Sequence, residues 1–169
     1  MKKEIFIIDT SAILSGKPLN FLDQTIITVS GVTNELCEGG KDYQNFQFLK
    51  EKGLKIIDPS LSSIQFITKT AQQTGDIQKL SKTDIQIVAL AFELHNKEDT
   101  IATILTDDYS IQNIATTLQL PFKTITQKGI QKKYIWYNQC RGCRKKFSEP
   151  TQICPICGSQ TKLTHKQKK

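Results

Sequence analysis

Two Cys-x-x-Cys pairs, "CRGC" at 140–143 and "CPIC" at 154–157 with ten residues between them, constrain this chain more than any other feature. Each pair offers two thiolates, so Cys140, Cys143, Cys154 and Cys157 make one tetrahedral Zn²⁺ site. Four protein ligands close the site, so the metal holds structure and leaves no position open for chemistry. A redox Cys-x-x-Cys needs a βαβ setting that this segment lacks. So small a module buries too little apolar surface to fold unaided, which makes the zinc part of its folding. Gly158 suits the tight turn after the second pair, whereas Arg144 takes that place after the first, straining the turn slightly and adding charge.

The rest of the chain must supply its own core. Short runs rich in β-branched residues at 5–8, 25–29, 55–57, 101–105 and 122–125 read as strands, the first buried on both faces. Helical patterns lie between them at 30–38, 42–52, 61–74, 82–96 and 110–118, and the stretch 79–94 reads as an amphipathic helix. This alternation predicts an α/β domain with a mainly parallel sheet. The expected organisation is an α/β domain over 1–125, a basic linker over 126–135, a zinc ribbon over 136–164 and a disordered basic tail over 165–169.

Charge divides the chain along the same line. Residues 1–122 carry 11 Lys and Arg against 15 Asp and Glu, whereas residues 123–169 carry 12 against 1. A basic end on an acidic body suits a polyanionic partner, most simply nucleic acid. Lys132, Lys133, Arg141, Arg144, Lys145 and Lys146 are the candidate phosphate contacts. Trp136 either stacks on a base or packs onto the first domain. No stretch is long and apolar enough to span a membrane, and the apolar run at 5–8 ends at Asp9, too short for a signal peptide, so a cytoplasmic location is expected.

Acids recur at strand ends and helix starts of the first domain. Asp9 follows the first strand, Asp107 and Asp108 follow the fourth, Asp84 opens the helix before the fourth, and Glu35 lies in the helix after the second. Each has a local explanation: Asp9 and Asp108 as caps, Glu35 as surface charge, Asp84 as a capping-box acid after Ser81. Together they suggest more, because clustered carboxylates repel unless a cation such as Mg²⁺ or Mn²⁺ lies among them. Carboxylate-held divalent ions suit phosphodiester hydrolysis. An aspartyl-phosphatase pattern would need a second acid where Ser11 stands, and no glycine-rich turn follows the first strand to bind a dinucleotide.

"FIIDTSAIL", "VTNELCE", "LSKTDIQIVALA" and "LTDDYSIQN" resemble, in order, the four acidic motifs of PIN-domain nucleases. "TGDIQKLSKTD" together with the four-cysteine ribbon resembles the Nob endonucleases of archaeal type. The resemblance implies a three-layer α/β/α nuclease domain plus a zinc ribbon. It implies Asp9, Glu35, Asp84 and Asp108 as catalytic acids, with Mn²⁺ or Mg²⁺ held by Asp9, Asp84 and Asp108. Ser11, and Asp107 as a spare ligand, assist the metal in such a site, although Thr106-x-Asp108 selects Asp108 over Asp107 and leaves the role of Asp107 open. The implied activity is cleavage of single-stranded precursor small-subunit rRNA at its mature 3′ end by metal-activated water, on a pre-ribosomal particle with other assembly factors as partners. The alternatives are a PIN ribonuclease of toxin type acting on tRNA or mRNA, and a non-catalytic RNA-binding assembly factor.

Overall fold

The structure, a computed structural model, describes residues 3–15, 24–126 and 134–167. Lys132 and Lys133 lie outside the described residues.

Five strands, β1 (Lys3–Ile8), β2 (Thr25–Thr28), β3 (Lys55–Ile56), β4 (Thr100–Leu105) and β5 (Phe122–Lys123), form one sheet in the order β3-β2-β1-β4-β5 with every pairing parallel. Ile5, Phe6, Ile7 and Ile8 are all buried, as a strand covered on both faces requires. Parallel pairing needs crossovers, and these are supplied by helices α1 (Thr10–Leu14), α2 (Ser30–Glu35), α3 (Lys41–Glu51), α4 (Leu61–Thr74), α5 (Lys82–His95) and α6 (Tyr109–Thr117). From β1 the chain winds outward through β2 to β3, then returns past β1 to β4 and β5. Right-handed crossovers in the two directions place helices on opposite faces and leave a switch point between β1 and β4.

Sequence periodicity misjudged two helices. α5 is not amphipathic: Ile87, Val88, Ala89, Leu90 and Ala91 are consecutively buried, because the sheet covers one side and α4 the other. α1, only five residues long, is too short to show a period and was not anticipated.

A second, antiparallel sheet follows, in which β6 (Tyr134–Cys140) lies between β7 (Lys146–Phe147) and β8 (Thr161–Gln167). Its register corrects both ends of the expected organisation. Tyr134 and Ile135, expected in the linker, pair with Gln167 and Lys166, and His165, expected in a disordered tail, pairs with Trp136. Each end of β6 supplies hydrogen bonds for the opposite end of β8, so the strand runs to Gln167. The His165 ring also meets the Tyr134 and Trp136 rings edge-on, at 5.0 and 4.9 Å between centroids.

Candidate active site

The first candidate acid sits where β1 gives way to α1. Asp9 caps α1, accepting from the Thr10 N–H at 2.7 Å, and its own N–H donates to the Leu105 carbonyl at the end of β4. Two hydroxyls meet its other oxygen: Ser11 Oγ at 2.8 Å and Thr106 Oγ1 at 2.8 Å. Each hydroxyl has one proton and gives it to Asp9, so each is left to accept. Ser11 accepts the Asp107 N–H at 3.0 Å, and Thr106 accepts the Asp108 N–H at 2.9 Å. The ends of β1 and β4 are thereby stitched together at the switch point, outside the carboxyl ends of the strands, where ligands of open α/β sheets bind.

Asp108 caps α6 and accepts from the Ser110 N–H at 2.6 Å. Asp84 enters the site from α5 through a complete capping box. It accepts the Ser81 N–H at 2.7 Å, and its own N–H donates to Ser81 Oγ at 3.1 Å. Glu35, exposed at the end of α2, accepts from Thr10 Oγ1 at 2.6 Å. Four acids distant in sequence are thus carried by the β1, β4, α2 and α5 termini.

Asp107 belongs elsewhere, and its expected place as a spare metal ligand is corrected. Its carboxylate accepts the Ile125 N–H at 2.8 Å and the Thr126 N–H at 3.0 and 3.2 Å, and the Thr126 hydroxyl donates to it as well. It straps the chain leaving β5.

Electrostatics joins three of the acids. Burial pushes the Asp9 carboxyl above its ordinary value, the bonds from Ser11, Thr106 and Thr10 oppose this, and the Asp108 charge adds to the rise. Asp84 is raised by burial against its two Ser81 bonds, with the charges of Asp9 and Asp108 adding. Asp9, Asp84 and Asp108 therefore share one field of like charge in a partly desolvated place, a setting that a hard divalent cation relieves. The donor set fits such an ion: it is all oxygen, and of the roughly four acceptor positions on the Asp9 carboxylate three are occupied, leaving one on the oxygen that faces Thr10.

The cysteines form a tighter group. They are the one set of His, Cys, Asp or Glu among the described residues whose ligand atoms all lie within 4.8 Å of one another. Cys140 and Cys157 sulfurs are 3.4 Å apart, Cys143 and Cys154 3.6 Å. Zn–S bonds of about 2.3 Å in a tetrahedron place sulfurs about 3.8 Å apart, so the cluster fits zinc. The Ser159 hydroxyl and N–H draw the Cys157 thiol down to about 6, whereas, against the Lys145 N–H, burial and the other three sulfurs push the Cys143 thiol up to about 11. Arg144 has φ 63°, close to the 71° of Gly158, so the two knuckles turn alike and the first does so with a side chain in the left-handed region. From Tyr134 to Lys166 the buried side chains are Asn138, Cys140 and Cys154, with no aliphatic core.

Arg141, Arg144, Lys145 and Lys146 are exposed, and Arg141, Arg144 and Lys162 line a hollow of ≈ 340 Å³ beside Cys140. The Trp136 ring is engaged inside the chain, with Lys79 Nζ 5.0 Å from its centroid and His165 at its edge. Of the two expected uses of Trp136, packing against the first domain is the one these contacts serve. Sequence reasoning missed Thr10 and the part Thr106 plays in holding Asp9. The signal available was a threonine adjoining Asp9 and another two places before Asp108.

Residues 6–94 match the family described as the PIN domain of ribonuclease. The chain is 37% identical to ribonuclease VapC1 of Thermoplasma acidophilum over 98% of this chain and 80% of that protein. It is 34% identical to endoribonuclease Nob1 of Archaeoglobus fulgidus, over 93% of this chain and 89% of the relative. It is 33% identical to endoribonuclease Nob1 of Pyrococcus abyssi, over 93% and 91%.

Proposed function

Because the chain belongs to the PIN-domain ribonuclease family, with Nob1 endoribonucleases among its homologues, we propose that it cuts single-stranded precursor small-subunit rRNA at the mature 3′ end. The observation that carries the reading is the stitched switch point, where Ser11 and Thr106 hold Asp9 and Thr106 also holds Asp108, beside Asp84 and in the same chain as a basic four-cysteine sheet.

In this reading Asp9, Asp84 and Asp108 hold Mn²⁺ or Mg²⁺, and Glu35 completes the shell or orients water. When bound, such an ion supplies a lowered pKa for water and charge neutralisation at the phosphate and the leaving oxygen. Ser11 and Thr106 keep the Asp9 carboxylate in one orientation, and the Ser81 box does the same for Asp84, so little ordering is left to be done when substrate arrives. Burial among other acids makes these carboxylates poor partners for each other and good ones for a cation. Cys140, Cys143, Cys154 and Cys157 hold one structural zinc, and Arg141, Arg144, Lys145, Lys146 and the hollow at Lys162 take the RNA backbone, countering the repulsion between an acidic site and a polyanion. The reaction takes place on a pre-ribosomal particle in the cytoplasm.

A second reading stays open because the Thermoplasma relative, aligned over 98% of this chain, is named for ribonuclease activity alone. In that reading the substrate is tRNA or mRNA. Competition separates the two: a labelled RNA spanning the 3′ end of small-subunit rRNA is offered to the protein in Mn²⁺ with excess unlabelled tRNA or mRNA. A single cut at the mature end that survives the competitors supports the rRNA assignment. Preferential loss of the tRNA or mRNA would replace it.

A further inference from the structure

The four-cysteine sheet meets the first domain along the short segment 75–79 and at Asn113 of α6, residues that none of the catalytic assignments uses. Gly75 has φ 79°, and a Cβ there would stand 1.9 Å from the Trp136 carbonyl oxygen and 2.7 Å from its carbon. The backbone of the segment therefore lies directly against β6, an approach that only glycine permits. Gln78 Oε1 accepts from Asn138 Nδ2 at 2.6 Å, and Lys79 covers the Trp136 ring. Between them Asp76 is fully buried, its carboxylate accepting Thr74 Oγ1 at 2.5 Å and Asn113 Nδ2 at 2.6 Å. The same Asn113 amide brackets Tyr134, donating to its carbonyl at 2.8 Å and accepting its N–H at 2.8 Å.

These contacts reach both catalytic helices. Asn113 lies on α6, whose cap is Asp108, while the Asp76 carbonyl accepts the N–H groups of Lys79 and Leu80 immediately before the Ser81 box that holds Asp84. A buried carboxylate with both oxygens hydrogen-bonded, and a buried amide with donor and acceptor both used, are costly to separate, because each partner left behind is a desolvated polar group.

We propose that Gly75, Asp76, Gln78 and Asn113 form a docking bracket that holds the four-cysteine sheet at a fixed position relative to Asp84 and Asp108. The bracket then fixes the spacing between the sheet's grip on RNA and the cut. That second statement rests on the nuclease reading above, whereas the docking does not. Asp76 and Asn113 are positioning residues on this account and touch no substrate.

The test uses the full zinc-loaded chain. Backbone ¹⁵N relaxation gives a rotational correlation time for each sheet separately. Gly75→Ala is compared with Gly39→Ala, which has nearly the same backbone strain, φ 81°, but no atom within 4 Å of the new Cβ. Wild type and Gly39→Ala are expected to tumble with one correlation time. Gly75→Ala is expected to show two, with emission of Trp136, the one tryptophan of the chain, shifted to the red as its ring leaves Lys79. In Mn²⁺ the Gly75→Ala cut is expected to spread over neighbouring phosphates while the control keeps a single cut. Should Gly75→Ala fail to fold, Gln78→Ala removes the side-chain bonds to Asn138 and the Ser148 carbonyl, and a partial separation of the correlation times is expected. Two correlation times in wild type, or identical tumbling of Gly75→Ala and Gly39→Ala, would overturn the bracket. A sharp cut from a protein that tumbles as two bodies would overturn the spacing. A wild type that tumbles as one body and cuts no RNA would sink the nuclease reading and leave the bracket standing.

Discussion

Asp9 works against the fold that holds it. Its carboxyl is raised by burial and by Asp108, so the folded chain binds its proton more tightly than the unfolded chain does. The stability this contributes is fully present below the ordinary value of 3.8 and is lost as pH rises through the raised folded value. At neutral pH, above that ordinary value, Asp9 is therefore a destabilising group until a cation joins it, and Asp84 acts in the same direction. In buffer free of Mn²⁺ and Mg²⁺, Asp9→Asn should melt above wild type at pH 7, and added Mn²⁺ should raise the melting temperature of wild type but hardly that of the variant. Calorimetry with and without Mn²⁺ checks both, and an Mn²⁺ gain as large in Asp9→Asn as in wild type would remove Asp9 from the metal site. Thr106→Val tests the stitch. The variant leaves the Asp108 N–H without its acceptor and Asp9 without one donor, which should cost about 1–3 kcal/mol in urea unfolding. Losing such an orienting partner should also lower cleavage about 10–100-fold. Asp9, Asp84 and Asp108 were legible in the sequence as candidates, because each stands at a strand end or a helix start. The Thr106 bond to Asp9 was not, since it joins residues 97 positions apart, and the choice of Asp108 over Asp107 acquires its physical reason only from the strap that Asp107 makes to residues 125 and 126.

At the scale of elements, the two sheets are stabilised in different ways. The parallel sheet is covered on both faces by apolar side chains such as Ile7, Ile8, Ile27 and Ile104. The antiparallel sheet has no such core, so metal at the cysteines is expected to supply much of its free energy. Removing zinc with a chelator should unfold β6, β7 and β8 while the parallel sheet stays folded, seen as loss of their amide dispersion and a red shift of Trp136. A folded antiparallel sheet in zinc-free protein would contradict this. The cysteine spacing made this module readable from the sequence, and alternating strands and helices did the same for the parallel sheet. What the pattern concealed were elements governed by tertiary context. α1 is too short for periodicity, α5 is buried on successive positions over 87–91, and β8 extends to Gln167 because β6 lies beside it.

For the whole molecule, the parallel order β3-β2-β1-β4-β5 accounts for the site's location. Winding outward in both directions from β1 and β4 brings Asp9 and Asp108 to the switch point, and α5 adds Asp84. The charge division along the chain fits the proposed function, in which a basic surface would hold RNA near an acidic centre. That division was visible in composition, whereas the seating of the second sheet against residues 75–79 and Asn113 depends on contacts between distant segments that no local pattern displays. The most direct test of the account is cleavage of a labelled RNA spanning the 3′ end of small-subunit rRNA, with wild type and Asp9→Asn compared in Mn²⁺ and without added divalent metal. The account expects one discrete cut by wild type in Mn²⁺ and none in the other three conditions. Equal cutting by Asp9→Asn, or cutting by wild type without the metal, would contradict a carboxylate-held ion at this switch point.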